Sequence, residues 1–191
     1  MVNRIAVVGG SGAGKTMLSR ALGAATGLPV VHVDRYYFEP DWKRRTQESV
    51  SAELTEIAVQ PEWIIDGTDI RTLETRIFRA DLIVYLHVAT RVRAWRVIKR
   101  MFMSYRKTRV DLPSGCKGRL SIAHVKWAVF GYGRVAEPKL KQLLTKVDRH
   151  VPIIHIRNKK DHDTLRSLFP GYGPIGDPKE KKPVLVENSG S

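Results

Sequence analysis

Short apolar runs and stretches of helical periodicity alternate from the start of the chain. Arg4 to Val8 is a compact apolar run of the buried-strand kind, and Lys15 to Ala25 follows with Met17, Leu18, Ala21, Leu22 and Ala25 on one helical face. Gly27 and Pro29 stop that helix ahead of a second apolar run, Val30 to Val33. Val50, Leu54 and Ile57 recur at helical spacing within Gln47 to Val59, Pro61 breaks the pattern, and Trp63 to Ile65 reads as a third strand. A short helix around Leu73, Ile77 and Phe78 precedes a fourth strand, Asp81 to Leu86. Thr90 to about Ser104 has the period of a basic helix, with Val92, Trp95, Ile98 and Phe102 expected inward and Arg91, Arg93, Arg96, Lys99 and Arg100 largely outward. Pro113, Gly115 and Gly118 make Tyr105 to Gly118 a loop. Two helical stretches, about Leu120 to Tyr132 and Pro138 to Lys146, lead to a last strand at Pro152 to Ile156 and a closing helix at Asp161 to Phe169.

Five strands joined by helices predict an α/β fold: a doubly wound, five-stranded parallel sheet with helices on both faces and right-handed crossovers. Residues 1–169 are expected to form one domain, with a small basic lid at about 104–119, and the Gly- and Pro-bearing residues 170–191 a flexible tail. In folds of this class ligands sit beyond the carboxyl ends of the strands, so chemistry is sought in the residues that follow each strand.

The segment after the first strand reads Gly9-Gly10-Ser11-Gly12-Ala13-Gly14-Lys15-Thr16 and fits the phosphate-binding pattern G-x-x-x-x-G-K-[ST]. Successive backbone N–H groups must turn inward to hold phosphate oxygens, which demands glycine where a side chain would block the approach. Lys15 then supplies a cation to the β- and γ-phosphates, Thr16 a hydroxyl to Mg²⁺, and the following helix the positive end of its dipole. The dinucleotide pattern G-x-G-x-x-G fits no register of these glycines. Two further apolar runs end in a carboxylate: His32-Val33-Asp34-Arg35 and Ile64-Ile65-Asp66-Gly67. Asp66 is the expected metal-side residue, with Gly67 letting the chain turn close to the nucleotide and acceptor. Asp34, with Arg35 beside it, is expected to face an acceptor hydroxyl, while His32 reads as a packed strand residue.

Charge narrows the partners. The chain carries 33 Lys and Arg against 19 Asp and Glu, a net +14. Residues 1–90 hold 10 basic and 11 acidic side chains, residues 91–160 hold 19 and 3, and residues 161–191 hold 4 and 5. The surplus is therefore confined to one stretch, which points to a polyanion: nucleotide phosphates, or a nucleic acid reached through residues 91–160 with Trp95, Phe102, Tyr105, Trp127, Phe130 and Tyr132 interleaved. Arg100, Arg106 and Arg109 fall where an arginine-bearing lid would clamp the transferring phosphoryl group. Asn158-Lys159-Lys160-Asp161 fits the guanine-reading pattern N-K-x-D and keeps a GTP preference open, with Asn158 beside the base. Cys116 is the one cysteine and allows no intrachain disulfide; with no signal-like leader and no apolar run long enough to span a membrane, the expectation is a cytoplasmic protein without a membrane partner.

Several segments together resemble the topology modulation proteins, small P-loop relatives of adenylate kinase: the phosphate loop, Val31 to Tyr37 with Trp42 beyond, Trp63 to Gly67, Ala80 to Val84, Trp95 to Arg100, and Arg106 to Cys116. Val110 departs from that pattern where proline is expected, and Gly118 where an acidic residue is. The resemblance implies an adenylate-kinase-like fold and ATP binding. His32 and Asp34 also look like the D-x-D site of shikimate-kinase-type enzymes with His in the first place, which leaves Mg²⁺ to Thr16 and Asp66. The expected activity is an ATP- and Mg²⁺-dependent phosphotransferase acting on a nucleotide, nucleoside or other small hydroxylated metabolite. A nucleotide-dependent DNA-binding protein and a GTP-preferring NTPase are the alternatives.

Overall fold

A computed structural model describes residues 2–103 and 125–173. The elements run β1 (Arg4–Gly9), α1 (Lys15–Thr26), β2 (Val30–His32), α2 (Val33–Tyr36), α3 (Gln47–Val59), β3 (Trp63–Asp66), α4 (Leu73–Arg79), β4 (Leu82–Leu86), α5 (Thr90–Met103), α6 (Trp127–Ala136, with π-helical hydrogen bonding), α7 (Glu137–Leu144), β5 (Ile153–Ile156) and α8 (Asp161–Leu168). All strand pairings are parallel and the spatial order is β2-β3-β1-β4-β5. The expected doubly wound five-stranded sheet is present.

The alternation of side chains along each strand divides the core into two layers. Ala6, Val8, Ile65, Ile83 and Tyr85 face α3, α4 and α7, where Val50, Leu54, Ile77 and Leu140 close over them. Ile5, Val7, Ile64, Leu82 and Val84 face the other way, against Leu18, Ala21 and Leu22 of α1 and Leu165 of α8. Strands buried on both faces explain why they read as continuous apolar runs. At the amino end of the sheet Asp81 accepts from the Asn3 and Arg4 amides and pairs with the Arg4 guanidinium at 2.7 Å, so it clasps β1 to β4 from just outside the strand.

Two local readings change. β2 ends at His32, and Val33 begins a four-residue helix, so Asp34 lies in a helical turn beyond the strand. The inward face of α5 is rotated from the one expected: Arg93 is 2% and Val97 1% exposed, whereas Trp95 is 64% and Phe102 65% exposed; Arg91, Arg96 and Lys99 are exposed and Ile98 is half-buried, as expected. The reason is the neighbour. α5 starts against the phosphate loop, where backbone and cations meet, and apolar rings have no cavity to fill there. The lid, with Arg106, Arg109 and Cys116, and residues 174–191 lie outside the described residues.

Candidate functional site

The carboxyl ends of β1, β2 and β3 converge on one site. Gly9 leaves β1 at φ 145°, and a Cβ there would stand 2.8 Å from the Leu86 carbonyl oxygen; Gly14 caps α1 in the left-handed region. Both positions therefore require glycine. The loop wraps the side chain that opens α1: Lys15 Nζ donates to the carbonyl oxygens of Gly9 at 2.9 Å and Gly10 at 3.1 Å. Withdrawal from solvent pushes the Lys15 ammonium below its usual range; Asp34 and Asp66 oppose that shift, and Arg100 and Arg93 add to it. The same influences place Lys15, Asp34, Asp66 and Arg100 in one electrostatic neighbourhood, although they come from four different elements. Thr16 is half-buried at the start of α1.

β3 pairs with β1 and β2 so that Val7, Asp66 and His32 stand side by side, Asp66 and His32 at the ends of their strands. Residues level with one another in a parallel pair point to the same face, and here the two polar ones meet: His32 Nδ1 lies 2.7 Å from Asp66 Oδ2, with both residues buried. A carboxylate can only accept, so Nδ1 carries the hydrogen. His32 is thus a packed residue, as expected, and also the side chain that orients Asp66. The hydroxyl of Thr16 and the carboxylate of Asp66 are hard oxygen donors of the kind Mg²⁺ takes, and the remainder of its shell would come from phosphates and water. Among the described residues no cluster of three or more His, Cys, Asp or Glu side chains could hold a metal by itself.

The turn after β3 ties the site together. Gly67, at φ 134°, lies against Val33 so closely that a Cβ would come within 2.7 Å of the valine Cβ. Thr68 Oγ1 accepts from the Gly9 amide and donates to the Gly9 carbonyl, both at 2.9 Å, which ties this turn to the phosphate loop. Asp69 accepts from the Tyr37 hydroxyl at 2.5 Å, and burial together with that bond raises the Tyr37 phenol to about 12. Gln47, itself bonded by Arg71, reaches the same hydroxyl. Asp34 and Arg35 are exposed on the turn leading to Tyr37. Beneath the turn, Arg76 of α4 is 1% exposed and donates to the backbone carbonyls of Gly67, Asp69 and Thr72.

On the other flank Arg93 fills the space behind Gly10. Its Nε donates to the Val88 carbonyl and its Nη2 to Thr90 Oγ1, each at 3.1 Å, and its Cζ lies 4.8 Å from the centre of the Tyr132 ring. Sequence periodicity missed both: Arg76 interrupts an apolar pattern, and Arg93 falls on the face of α5 read as outward. That interruption was the available signal: Arg76 stands between Leu73 and Ile77 on the buried side of α4. Asn158 stands on the loop after β5. Asp161 Oδ2 accepts from the Arg157 and Asn158 amides, at 2.5 and 3.0 Å, and Oδ1 accepts from Asn158 Nδ2 at 3.3 Å. Both carboxylate oxygens therefore already serve the loop, and the segment that fits N-K-x-D is a self-capped start to α8.

Known structures share this architecture. Shikimate kinase from Acinetobacter baumannii, solved with shikimate, is similar at 13% identity over 88% of this chain and 91% of its own, with a TM-score of 0.54. Shikimate kinase from Bacteroides thetaiotaomicron is similar at 18% identity over 88% of this chain and 98% of its own, with a TM-score of 0.53. At such identities the likeness establishes the fold, that of the P-loop kinases. No protein-family model and no curated protein matches the chain, and membership of the topology modulation family is not confirmed. Among the described residues no helix is long and apolar enough to cross a membrane.

Proposed function

We propose that the chain is an ATP- and Mg²⁺-dependent phosphotransferase that acts on a small hydroxylated acceptor, whether nucleotide, nucleoside or other metabolite. The observation that carries this reading is the placement of Lys15 in the glycine loop with Asp66 and Asp34 both acting on its charge. Phosphoryl transfer asks a protein for positioned charge more than for covalent chemistry. In this reading the amides of residues 9–16 and Lys15 hold the phosphates. On nucleotide arrival Lys15 exchanges its bonds to Gly9 and Gly10 for bonds to phosphate oxygens, and Thr68 keeps the Gly9 carbonyl paired. Thr16 and Asp66 would hold Mg²⁺, whose charge would offset that of the phosphates. Asp34 accepts a hydrogen bond or the proton from the acceptor hydroxyl, with Arg35 and Gly67 lining that side. Arg100, joined by Arg106 and Arg109, neutralises the transferring group.

The test is transfer itself. Protein, ATP and Mg²⁺ are incubated with panels of nucleosides, nucleotides and small hydroxylated metabolites, with Lys15→Ala as the control. Acceptor-dependent ADP release that Lys15→Ala abolishes supports the reading; no transfer beyond slow hydrolysis across the panels rejects it.

One observation favours a second reading, nucleic-acid binding. Trp95, Phe102 and Phe130 are exposed rather than packed, alongside exposed Arg91, Arg96, Lys99 and Arg134, an arrangement suited to stacking bases and contacting phosphates. The comparisons lend it no support. Binding of single-stranded oligonucleotides that weakens steeply with salt would favour it, and undetectable binding at low salt dismisses it. The GTP alternative would need Asp161 to serve a base as well as its own loop, which a carboxylate with about four acceptor sites allows. Competition of ATP and GTP for a fluorescent nucleotide decides that preference.

A further inference from the structure

Arg76 carries a charge that packing alone does not call for. It is almost fully buried on α4, between Leu73 and Ile77, where methionine or leucine would fill the space without a desolvation penalty. Among the described residues none of its hydrogen bonds goes to a carboxylate. Nη1 donates to the Gly67 carbonyl at 2.8 Å, Nη2 to the Asp69 carbonyl at 3.2 Å and to Thr72 Oγ1 at 3.4 Å, and Nε to the Thr72 carbonyl at 3.2 Å. Burial brings the guanidinium down to about 10, against the opposing pull of Asp69, Tyr37, Asp66 and Asp34. A planar fork can hold several carbonyls in a fixed relative arrangement, which a lysine ammonium on a flexible stem cannot.

The carbonyls it grips belong to the turn from Asp66 to Thr72, whose other side makes the connections already described: Asp66 to His32, Thr68 to Gly9 and Asp69 to Tyr37. We propose that Arg76 is a positioning residue for phosphoryl transfer, holding this turn in the shape that lets Asp66 serve the metal, Thr68 the phosphate loop and Asp69 the acceptor segment together. The proposal rests on the phosphotransferase reading and adds a structural link between its two substrates. A shift of the turn moves the metal-side carboxylate and the Tyr37 anchor together, so nucleotide and acceptor sites are coupled through this one arginine.

Arg76→Lys keeps the charge and removes the fork; Arg76→Met removes both and keeps the bulk. Binding of a fluorescent ATP analogue to the full chain is measured with EDTA and with Mg²⁺, and amide hydrogen exchange is followed in the same proteins. Affinity in EDTA is expected to fall by less than about twofold in both variants, because the turn reaches the phosphate loop only at Gly9, through Thr68, and leaves Lys15 in place. The gain in affinity on adding Mg²⁺ is expected to fall about tenfold in both, the usual scale for losing an outer-shell partner. Exchange should rise over residues 66–72 and at Gly9, and stay low in the centres of β1 and β3. Three outcomes overturn the proposal: a full Mg²⁺ gain in Arg76→Lys, equal losses with and without Mg²⁺ accompanied by general loss of protection, or unchanged exchange in the turn. If the wild type binds no ATP analogue, the phosphotransferase reading fails by itself, and the exchange data still decide whether Arg76 shapes the turn.

Discussion

Replacing Gly10 with alanine tests whether the phosphate loop and α5 are built around one buried cation. Gly10 lies outside the left-handed region, so its backbone accepts alanine, and that exchange alone would stabilise by about 0.4–1 kcal/mol through the unfolded chain. The space does not accept it. A Cβ at this position would stand 2.3 Å from Arg93 Nη1, 2.7 Å from Cζ and 2.9 Å from Cδ, so Arg93 must leave its seat. Leaving forfeits the bonds to Val88 and Thr90 and the stacking on Tyr132. With about 1.5 kcal/mol for each bond to a charged donor and about 1 for the ring contact, the loss is about 4 kcal/mol, and about 3 after the backbone gain. For a chain of this size that lowers Tm by about 6–12 °C. The assay is a double-mutant cycle of Gly10→Ala with Arg93→Ala, read by urea and thermal unfolding. In the Arg93→Ala background only the backbone gain of about 0.4–1 kcal/mol should remain, giving a coupling energy of about 4 kcal/mol between the sites. Gly10→Ala within about 0.5 kcal/mol of wild type, or the same penalty with and without Arg93, would refute the reasoning.

Three further outcomes follow from the same geometry. Asp34→Asn should lower the rate of phosphoryl transfer by about a hundredfold or more with a much smaller effect on ATP affinity, if Asp34 serves the acceptor as proposed; an equal loss of nucleotide binding would contradict that role. Thr46 accepts from the Ser49 amide at 3.3 Å as the cap of α3, so Thr46→Ala should destabilise by about 1 kcal/mol in urea titrations, with catalysis unaffected. His87 Nε2 and His155 Nδ1 lie 2.8 Å apart; desolvation lowers both, reinforced for His87 by His155 and Arg157 and for His155 by Arg157. Because the folded values lie below 6.5, the unfolded chain binds more protons, so this contribution is complete above that pH and is lost as pH falls through the folded values. Urea midpoints should therefore drop more steeply below pH 6.5 in the wild type than in the His87→Gln, His155→Gln double variant, and parallel curves would count against the pair.

Much of the architecture was legible because it depends on neighbours in sequence. The limits of α3 and the start of α1 followed from apolar spacing and punctuation by proline and glycine, and the phosphate loop is a contiguous run whose backbone geometry its own glycines permit. Asp34 and Asp66 could be singled out as carboxylates following apolar runs. What each would touch could not be foreseen, because β2 and β3 meet only through a pairing register that sets His32 opposite Asp66. Asn158 to Asp161 is similar: the tetrapeptide is legible as a pattern, but that its carboxylate caps its own loop is seen only in the structure.

The sequence by itself thus determined the alternation of strands and helices, the phosphate loop and the uneven charge, all of which are written in contiguous residues or in composition. Only the tertiary structure decided which face of α5 turns inward and what holds the turn after β3. Periodicity says that a helix has two faces, but the inward one is selected by what it packs against. Here that is a glycine loop presenting backbone and a lysine, which Arg93 fits and Trp95 does not. Arg76 follows the same logic: a buried cation is tolerable where backbone carbonyls converge on it, and that convergence exists only after β3 and α4 have packed together.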